Sequence, residues 1–125
     1  MTIDRLQYGI RLAADALIKM LQQDATDHPP ELRHWDWQQG VGLYGLIRAY
    51  ETLGEPAYLE YCKLYVDRLL AEDKVSYSIN GAIVFETVLK LYEHLGDERY
   101  RVEMRYFLRW LLRSAAKCQN GCFEH

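Results

Sequence analysis

The sequence predicts an all-α fold built from antiparallel helical hairpins, either an α-solenoid or an α/α toroid. Apolar residues recur at steps of three and four along the chain, which is the periodicity of helices that bury one face. An internal repeat is the second observation, because residues 46–70 (LIRAYETLGEPAYLEYCKLYVDRLL) align with residues 88–112 (VLKLYEHLGDERYRVEMRYFLRWLL). Repeats of about 40 residues that contain two helices are typical of stacked hairpins.

The first helix is predicted by an apolar stripe, and prolines end it. His28–Pro29–Pro30 cannot continue a helix, because proline lacks the N–H donor and its ring clashes with the preceding turn. The stripe consists of Ile3, Leu6, Ile10, Ala13, Leu17 and Met20. The five expected helices lie near residues 2–23, 38–53, 56–71, 80–95 and 97–115.

The two repeats each contain a helix, a tight corner and a second helix. Gly54 and Gly96 supply the left-handed residue that ends the first helix of each pair. Asp97 is a suitable N-cap, and Pro56 suits the first helical position, where its missing N–H costs nothing. The two corners are therefore predicted to lie at one end of a single domain that spans residues 1–125.

The three longer connections must then lie together at the opposite end, because successive helices alternate in direction. These connections, residues 24–37, 71–79 and 116–125, border or contain HWDWQQ, VSYSIN and CQNGCFEH, which hold most of the unusual polar and aromatic residues. Long polar loops on a rigid helical array commonly carry a binding site. The sequence therefore predicts a site at this loop end.

Composition excludes several classes of function. The chain has 125 residues, a formal net charge of −3 and a pI near 5.8, so nothing indicates binding to nucleic acid or to an anionic membrane. The sequence has no apolar run of the roughly 20 residues that a membrane span requires. No signal peptide is expected, because MTIDRLQYGI lacks a basic start and an apolar block. Three cysteines, an odd number, fit a reducing compartment, and we expect a cytoplasmic protein.

The segment HWDWQQGVGLYG carries the first candidate binding residues. Trp35 and Trp37 flank Asp36, which can cap the second helix. One interpretation is an aromatic wall against a sugar ring, with Gln38 and Gln39 as hydrogen-bonding groups. The other interpretation is that the tryptophans pack the loop onto the helix end.

No metal or nucleophile motif is evident. Cys118, Cys122 and His125 match no compact zinc pattern and lack a fourth ligand, and Cys62 is expected in the core. The glycines after Gln39 have the wrong spacing for a dinucleotide motif, and we expect them to let helices approach closely. Among the acidic residues at the loop end, Asp36, Asp73 and Glu124 are the candidates for a catalytic carboxyl group.

The order of three motifs resembles the unsaturated glucuronyl and rhamnogalacturonyl hydrolases, glycoside hydrolase families 88 and 105. The motifs are WDWQQG, the corners YETLGEPAY and YEHLGDERY, and NGCFEH at the end of the chain. The resemblance implies an (α/α)6 barrel with a cleft at its loop end. It also implies hydration of the C4=C5 bond of a terminal unsaturated uronic sugar, started by an aspartate that donates a proton, with no metal or organic cofactor.

Individual residues match the family pattern unevenly. Trp37 corresponds to the aromatic residue of the cleft, Gln39–Gly40 to the Q-G pair, and His125 to a histidine that contacts substrate. The first essential aspartate of the family corresponds to Asn80, and an amide cannot perform acid–base work. The second essential aspartate lies beyond the F-x-H element, outside the given sequence.

The resemblance covers about two and a half of the six hairpins of a barrel. The chain therefore corresponds to the N-terminal portion of such a hydrolase, and three explanations stay open: a truncated piece, a shortened gene product that lost the chemistry, or an inactive variant. The expected ligand is an unsaturated uronic-acid oligosaccharide. A partial barrel exposes an apolar flank, so a homo-oligomer is predicted. A helical-repeat interaction module and a non-catalytic sugar binder are the alternative functions.

Overall fold

The chain folds into five α-helices, as the sequence predicts, in a computed structural model that describes residues 2–27 and 35–124. Only the backbone is described for residues 24–27. The helices are α1 (Ile3–Asp27), α2 (Trp37–Leu53), α3 (Pro56–Ala71), α4 (Ala82–Leu95) and α5 (Glu98–Arg113). Within the described residues the only β pairing is an isolated antiparallel bridge between Lys117 and Phe123.

The predicted helix bounds are accurate to within a few residues. The first helix continues to Asp27 instead of ending at residue 23, up to the last residue before His28–Pro29–Pro30. The fourth begins at Ala82 rather than residue 80, because Gly81 occupies its N-cap position after a turn. None of the helices in the described part of the chain is long and apolar enough to cross a membrane.

The two short corners have the predicted chemistry. Gly54 and Gly96 both adopt left-handed φ angles, 69° and 67°, and their N–H groups donate to Tyr50 O and Tyr92 O respectively. The ring of Tyr50 lies 5.2 Å from that of His94, edge to face, so the ends of α2 and α4 meet. Both corners therefore lie at one end of the molecule.

The helices pack in two layers, with α2 and α4 in the first and α1, α3 and α5 in the second. Helices α2 and α4 are in contact, with α2 also packing against α1 and α3, and α4 against α3 and α5. A Cβ atom on Gly40 would lie 2.3 Å from Ile83 Cγ2 and 2.9 Å from the backbone nitrogen of Val84, so glycine is required where α2 meets α4. By contrast, Gly45 meets nothing closer than 3.5 Å, and the close approach predicted for the glycines does not extend to it.

The apolar stripe predicted on α1 is only partly buried. Among the described side chains of this helix, up to residue 23, the buried apolar ones are Ala14 and Leu21, whereas Ile3, Leu6 and Met20 are more than half exposed. The contact stripe of α1 is therefore rotated from the predicted one, because the other helices decide which face of α1 they cover.

A repeated tyrosine–aspartate hydrogen bond joins the helices of the second layer. Tyr58 on α3 donates to Asp15 on α1 at 3.2 Å, and Tyr100 on α5 donates to Asp67 on α3 at 2.6 Å. Tyr58 and Tyr100 occupy equivalent positions in the two sequence repeats. The repeat therefore reproduces an interhelical contact as well as the corner.

Tyr100→Phe is expected to lower the free energy of unfolding near neutral pH by about 1–3 kcal/mol, because a hydrogen bond to a charged group is lost. Burial raises the pKa of Asp67, but hydrogen bonds from Lys63 and Tyr100 and the charge of Arg99 outweigh it, so the pKa is lowered overall. The stability from Asp67 is thus present above its unfolded-state pKa and is lost as pH falls through the folded-state value.

Urea unfolding of both proteins across the acidic range measures this effect. The difference between wild type and Tyr100→Phe should shrink as Asp67 becomes protonated. Tyr106→Phe is the control, because Tyr106 is an exposed tyrosine of the same helix and its variant should unfold like wild type. A difference for Tyr100→Phe that stays constant down to acidic pH would show that Asp67 is not the source.

Candidate functional site

The loop end of the helices gathers the segments that the sequence singled out. Trp35 precedes α2, and its indole N–H donates to the carbonyl of Gly81, before α4, at 3.2 Å. Asp36 caps α2 by accepting a hydrogen bond from Trp37 N at 2.7 Å, as predicted. The start of α2 is thereby attached to the turn that leads into α4.

One groove at this end lies between the first turns of α2 and α4. Its volume is about 580 Å³, and it is open to solvent. Its lining is mainly apolar, with one amide: Trp37, Val41, Ile79, Asn80 and Ile83. Trp37 is 51% exposed, so its ring is available to a ligand.

A second groove lies on the other side of the same turn. It has a volume of about 240 Å³, and residues from two connections and the end of α5 line it. Its lining consists of Tyr77, Ser78, Ile79, Asn80, Trp110, Ala115, Ala116 and Glu124. Asn80 and Ile79 are shared by the two grooves, so the Asn80 carboxamide stands at the boundary between them.

An aromatic cluster packs against the smaller groove. Phe85 on α4 stacks on Phe107 of α5 at 4.2 Å between ring centroids. Its ring also lies 4.9 Å from that of Trp35 and 5.8 Å from that of Tyr77. Phe107 in turn stacks on Trp110 at 5.9 Å. This cluster fixes the position of Tyr77 and Trp110, the two rings that line the smaller groove.

An acidic side chain interacts with Tyr77 from outside both grooves. Burial raises the pKa of Glu103, and a hydrogen bond from Tyr77 opposes the increase only in part. Burial and the nearby charge of Glu103 also raise the pKa of Tyr77. Glu103 lines a separate depression of about 490 Å³ with Asp67 and Arg99, and its hydrogen bond with Tyr77 connects it to the smaller groove.

The predicted binding residues differ in their exposure to solvent. Trp35 is 3% exposed, and this burial supports the packing interpretation of its ring. Trp37 lines the larger groove, Gln38 is exposed on the first turn of α2, and Gln39 is buried at 6% exposure. His125 lies outside the described residues.

Sequence reasoning did not single out Tyr77 or Trp110. Tyr77 belongs to VSYSIN, a segment that the sequence does assign to the loop end, but nothing in its spacing distinguishes it from other tyrosines. Trp110 lies in the repeat, where its helical position suggests packing. Contact between the two rings, 6.4 Å apart, depends on the path of the connection after α3.

Within residues 2–27 and 35–124, the cysteines belong to no cluster of metal ligands. Cys118 and Cys122 are exposed, and among the described residues no three histidine, cysteine or carboxylate side chains form a ligand cluster. Cys62 is buried in the core, as predicted, and burial raises the pKa of its thiol to about 12. Such a thiol stays protonated and unreactive at neutral pH.

Comparisons with known proteins relate this arrangement to carbohydrate hydrolysis. The family described as Glycosyl Hydrolase Family 88 matches residues 10–125. The unsaturated rhamnogalacturonyl hydrolase YesR of Bacillus subtilis (strain 168) is 32% identical to this chain over 91 residues. That alignment covers 73% of this chain and 26% of YesR, so it spans about a quarter of the length of this curated relative.

Proposed function

The chain belongs to glycosyl hydrolase family 88, and on that premise we propose that its loop end binds the terminal unsaturated uronic sugar of an oligosaccharide. The relative YesR is named for the hydrolysis of an unsaturated rhamnogalacturonyl substrate. The proposed reaction for the family site is hydration of the C4=C5 bond, after which the sugar ring opens and releases the next sugar. The chain carries at least the substrate-binding part of this site.

The observation that carries the proposal is the position of Asn80 between two grooves lined by aromatic rings. Trp37 lies on one side, and Tyr77 and Trp110 lie on the other. Aromatic rings pack against the apolar faces of sugars, and a carboxamide can donate to and accept from their hydroxyl groups. This lining suits an oligosaccharide that crosses the turn at Asn80.

Asn80 also indicates that the protein turns over its sugar slowly or not at all. Protonation of the C4=C5 bond needs a group that can release a proton, and the carboxamide of Asn80 cannot do so at physiological pH. Glu124 supplies the carboxyl group among the residues that line the smaller groove. We therefore propose a site that binds its sugar and has little activity while residue 80 is asparagine.

Trp37→Ala is expected to weaken binding of an unsaturated uronic disaccharide about tenfold, which corresponds to about 1.4 kcal/mol. Isothermal titration of the purified protein with this disaccharide measures the effect. Tyr8→Ala removes an exposed aromatic ring near the start of α1, far from the loop end, and should bind like wild type. Equal affinity of wild type and Trp37→Ala would contradict the proposed location of the sugar.

We also propose that the helices form part of an (α/α)6 toroid and that its open flanks associate in a homo-oligomer. Support comes from α1 and α5, which expose large apolar side chains, among them Ile3, Leu6 and Met20 on α1 and Leu108 and Leu112 on α5. Exposed apolar surface of this kind promotes association. Sedimentation should reveal an oligomer, and a monodisperse monomer at high concentration would contradict this part of the proposal.

A further inference from the structure

The residue between the two grooves is followed directly by glycine, in the dipeptide Asn80–Gly81. We propose that Asn80 is a self-modification site, at which the carboxamide is converted to a carboxylate by attack of the Gly81 backbone nitrogen. The modification itself follows from the local structure. Its consequence for activity rests on the function proposed above, because it introduces an acid at the position where the family has one.

The local structure leaves the Asn80 side chain accessible. Asn80 is exposed and lies in the turn before α4, outside any helix. Among the described residues nothing forms a hydrogen bond with its carboxamide, so the side chain can rotate toward the following peptide group. Water, which completes the conversion, reaches the residue from both grooves.

Packing keeps the next residue a glycine. A Cβ atom at position 81 would lie 2.7 Å from the carbonyl oxygen of Ser76 and 3.0 Å from both Ser78 Oγ and Trp35 Cδ1. Any larger residue would therefore disturb the turn. Gly81 is itself buried, and because glycine has no side chain, its backbone nitrogen is less shielded there than that of any other residue would be.

The conversion balances without any oxidant or reductant. The Gly81 nitrogen forms a bond to Asn80 Cγ, the Cγ–Nδ2 bond breaks, and ammonia leaves with the proton that the Gly81 amide has lost. Water then opens the resulting five-membered imide. Cleavage between Cγ and the Gly81 nitrogen restores the peptide bond and leaves aspartate at position 80, whereas cleavage of the other imide bond leaves isoaspartate.

The start of α4 favours the charges that develop. Gly81 is the N-cap residue of α4, and its N–H donates to the hydroxyl of Ser78 at 2.9 Å. The positive end of the helix dipole stabilises negative charge on the attacking nitrogen and on the product carboxylate. The Ser78 hydroxyl can rotate away, so the hydrogen bond from the Gly81 nitrogen can break without movement of the backbone.

The chain contains an internal comparison in Asn120–Gly121. There the side chain is held, because Asn120 Oδ1 accepts a hydrogen bond from Cys122 N at 3.1 Å. The Gly121 N–H donates to the carbonyl of Cys118 at 2.9 Å, within a tight turn. We therefore expect Asn80 to react faster than Asn120 in the folded protein, and the two to react at similar rates once the chain is unfolded.

Peptide mapping by mass spectrometry tests the proposal. The folded protein is incubated at mildly alkaline pH, with a parallel sample in urea, and both are digested with trypsin. Cleavage after Lys74, Lys90 and Lys117 places Asn80 in the peptide 75–90 and Asn120 in the peptide 118–125. In the folded sample, peptide 75–90 is expected to gain one mass unit several-fold faster than peptide 118–125. In the urea sample, the two peptides are expected to react at similar rates.

Two further measurements separate the modification from its consequence. Asn80→Gln should show no gain in peptide 75–90, because glutamine would have to form a larger ring. A folded wild-type protein that keeps peptide 75–90 intact while the urea sample converts would overturn the inference, even if Asn80→Asp hydrolyses the unsaturated disaccharide. If peptide 75–90 converts and Asn80→Asp is inactive, the modification stands and the proposed hydrolase chemistry fails.

Discussion

Asn80→Asp is expected to raise the rate at which the protein consumes an unsaturated uronic disaccharide by about 10²–10⁴-fold, the usual contribution of a positioned general acid. The substitution keeps the size of the side chain and adds a group that can release a proton to the C4=C5 bond. Loss of the ultraviolet absorbance of the conjugated double bond measures the reaction. The freshly purified wild type gives the reference rate.

Asn80→Gln is the matched control, since it changes the side chain without introducing an acid. It should stay at the wild-type rate. Absence of any gain in Asn80→Asp, in a protein that still binds the disaccharide, would contradict a catalytic role for position 80. The chain would then be better described as a non-catalytic sugar binder.

Phe85→Ala is expected to lower the free energy of unfolding by about 3–5 kcal/mol, a large fraction of the roughly 5–15 kcal/mol available to a domain of this kind. Phe85 is 1% exposed and contacts the rings of Trp35, Tyr77 and Phe107, so its removal leaves a cavity beneath the smaller groove. Urea unfolding followed by circular dichroism measures the loss. Sugar binding should weaken as well, because Tyr77 loses its support.

Phe123→Ala tests whether the loss of stability in Phe85→Ala comes from removing a buried ring rather than from removing any aromatic ring. Phe123 is 39% exposed and contacts Lys117 through its ring face, so a loss of less than about 1 kcal/mol is expected. Similar losses for the two variants would contradict the role assigned to the cluster around Phe85.

Much of the fold could be predicted because its signals are local. The left-handed conformations of Gly54 and Gly96 and the N-cap at Asp97 each depend on residues within one turn of the chain. The structure confirms all three predictions. Helix length was less predictable at α1, which extends to Asp27, directly before His28–Pro29–Pro30. The face of α1 that is covered depends on α2, which the apolar stripe of α1 cannot reveal.

The candidate site was predictable in its location and less so in its members. Alternation of helix direction brings the turn at Asn80 and the segment around Trp37 to one end, and they share a groove. The roles of Trp35 and Trp37 could not be separated by sequence, because two residues of the same type two positions apart carry equal signals. The exposed fractions of their side chains, 3% for Trp35 and 51% for Trp37, separate the two roles.

By itself the sequence determined the all-α hairpin architecture, the two corners at one end and the family to which the chain belongs, because each follows from residues close together or from a recurring pattern. Only the tertiary structure decided that Trp35 packs beneath the turn, that Tyr77 and Trp110 line a groove, and that Asn80 stands between two grooves. These facts depend on contacts between distant segments, such as the hydrogen bond from Trp35 to Gly81. The energies of those contacts are set by packing across elements, which local sequence does not encode.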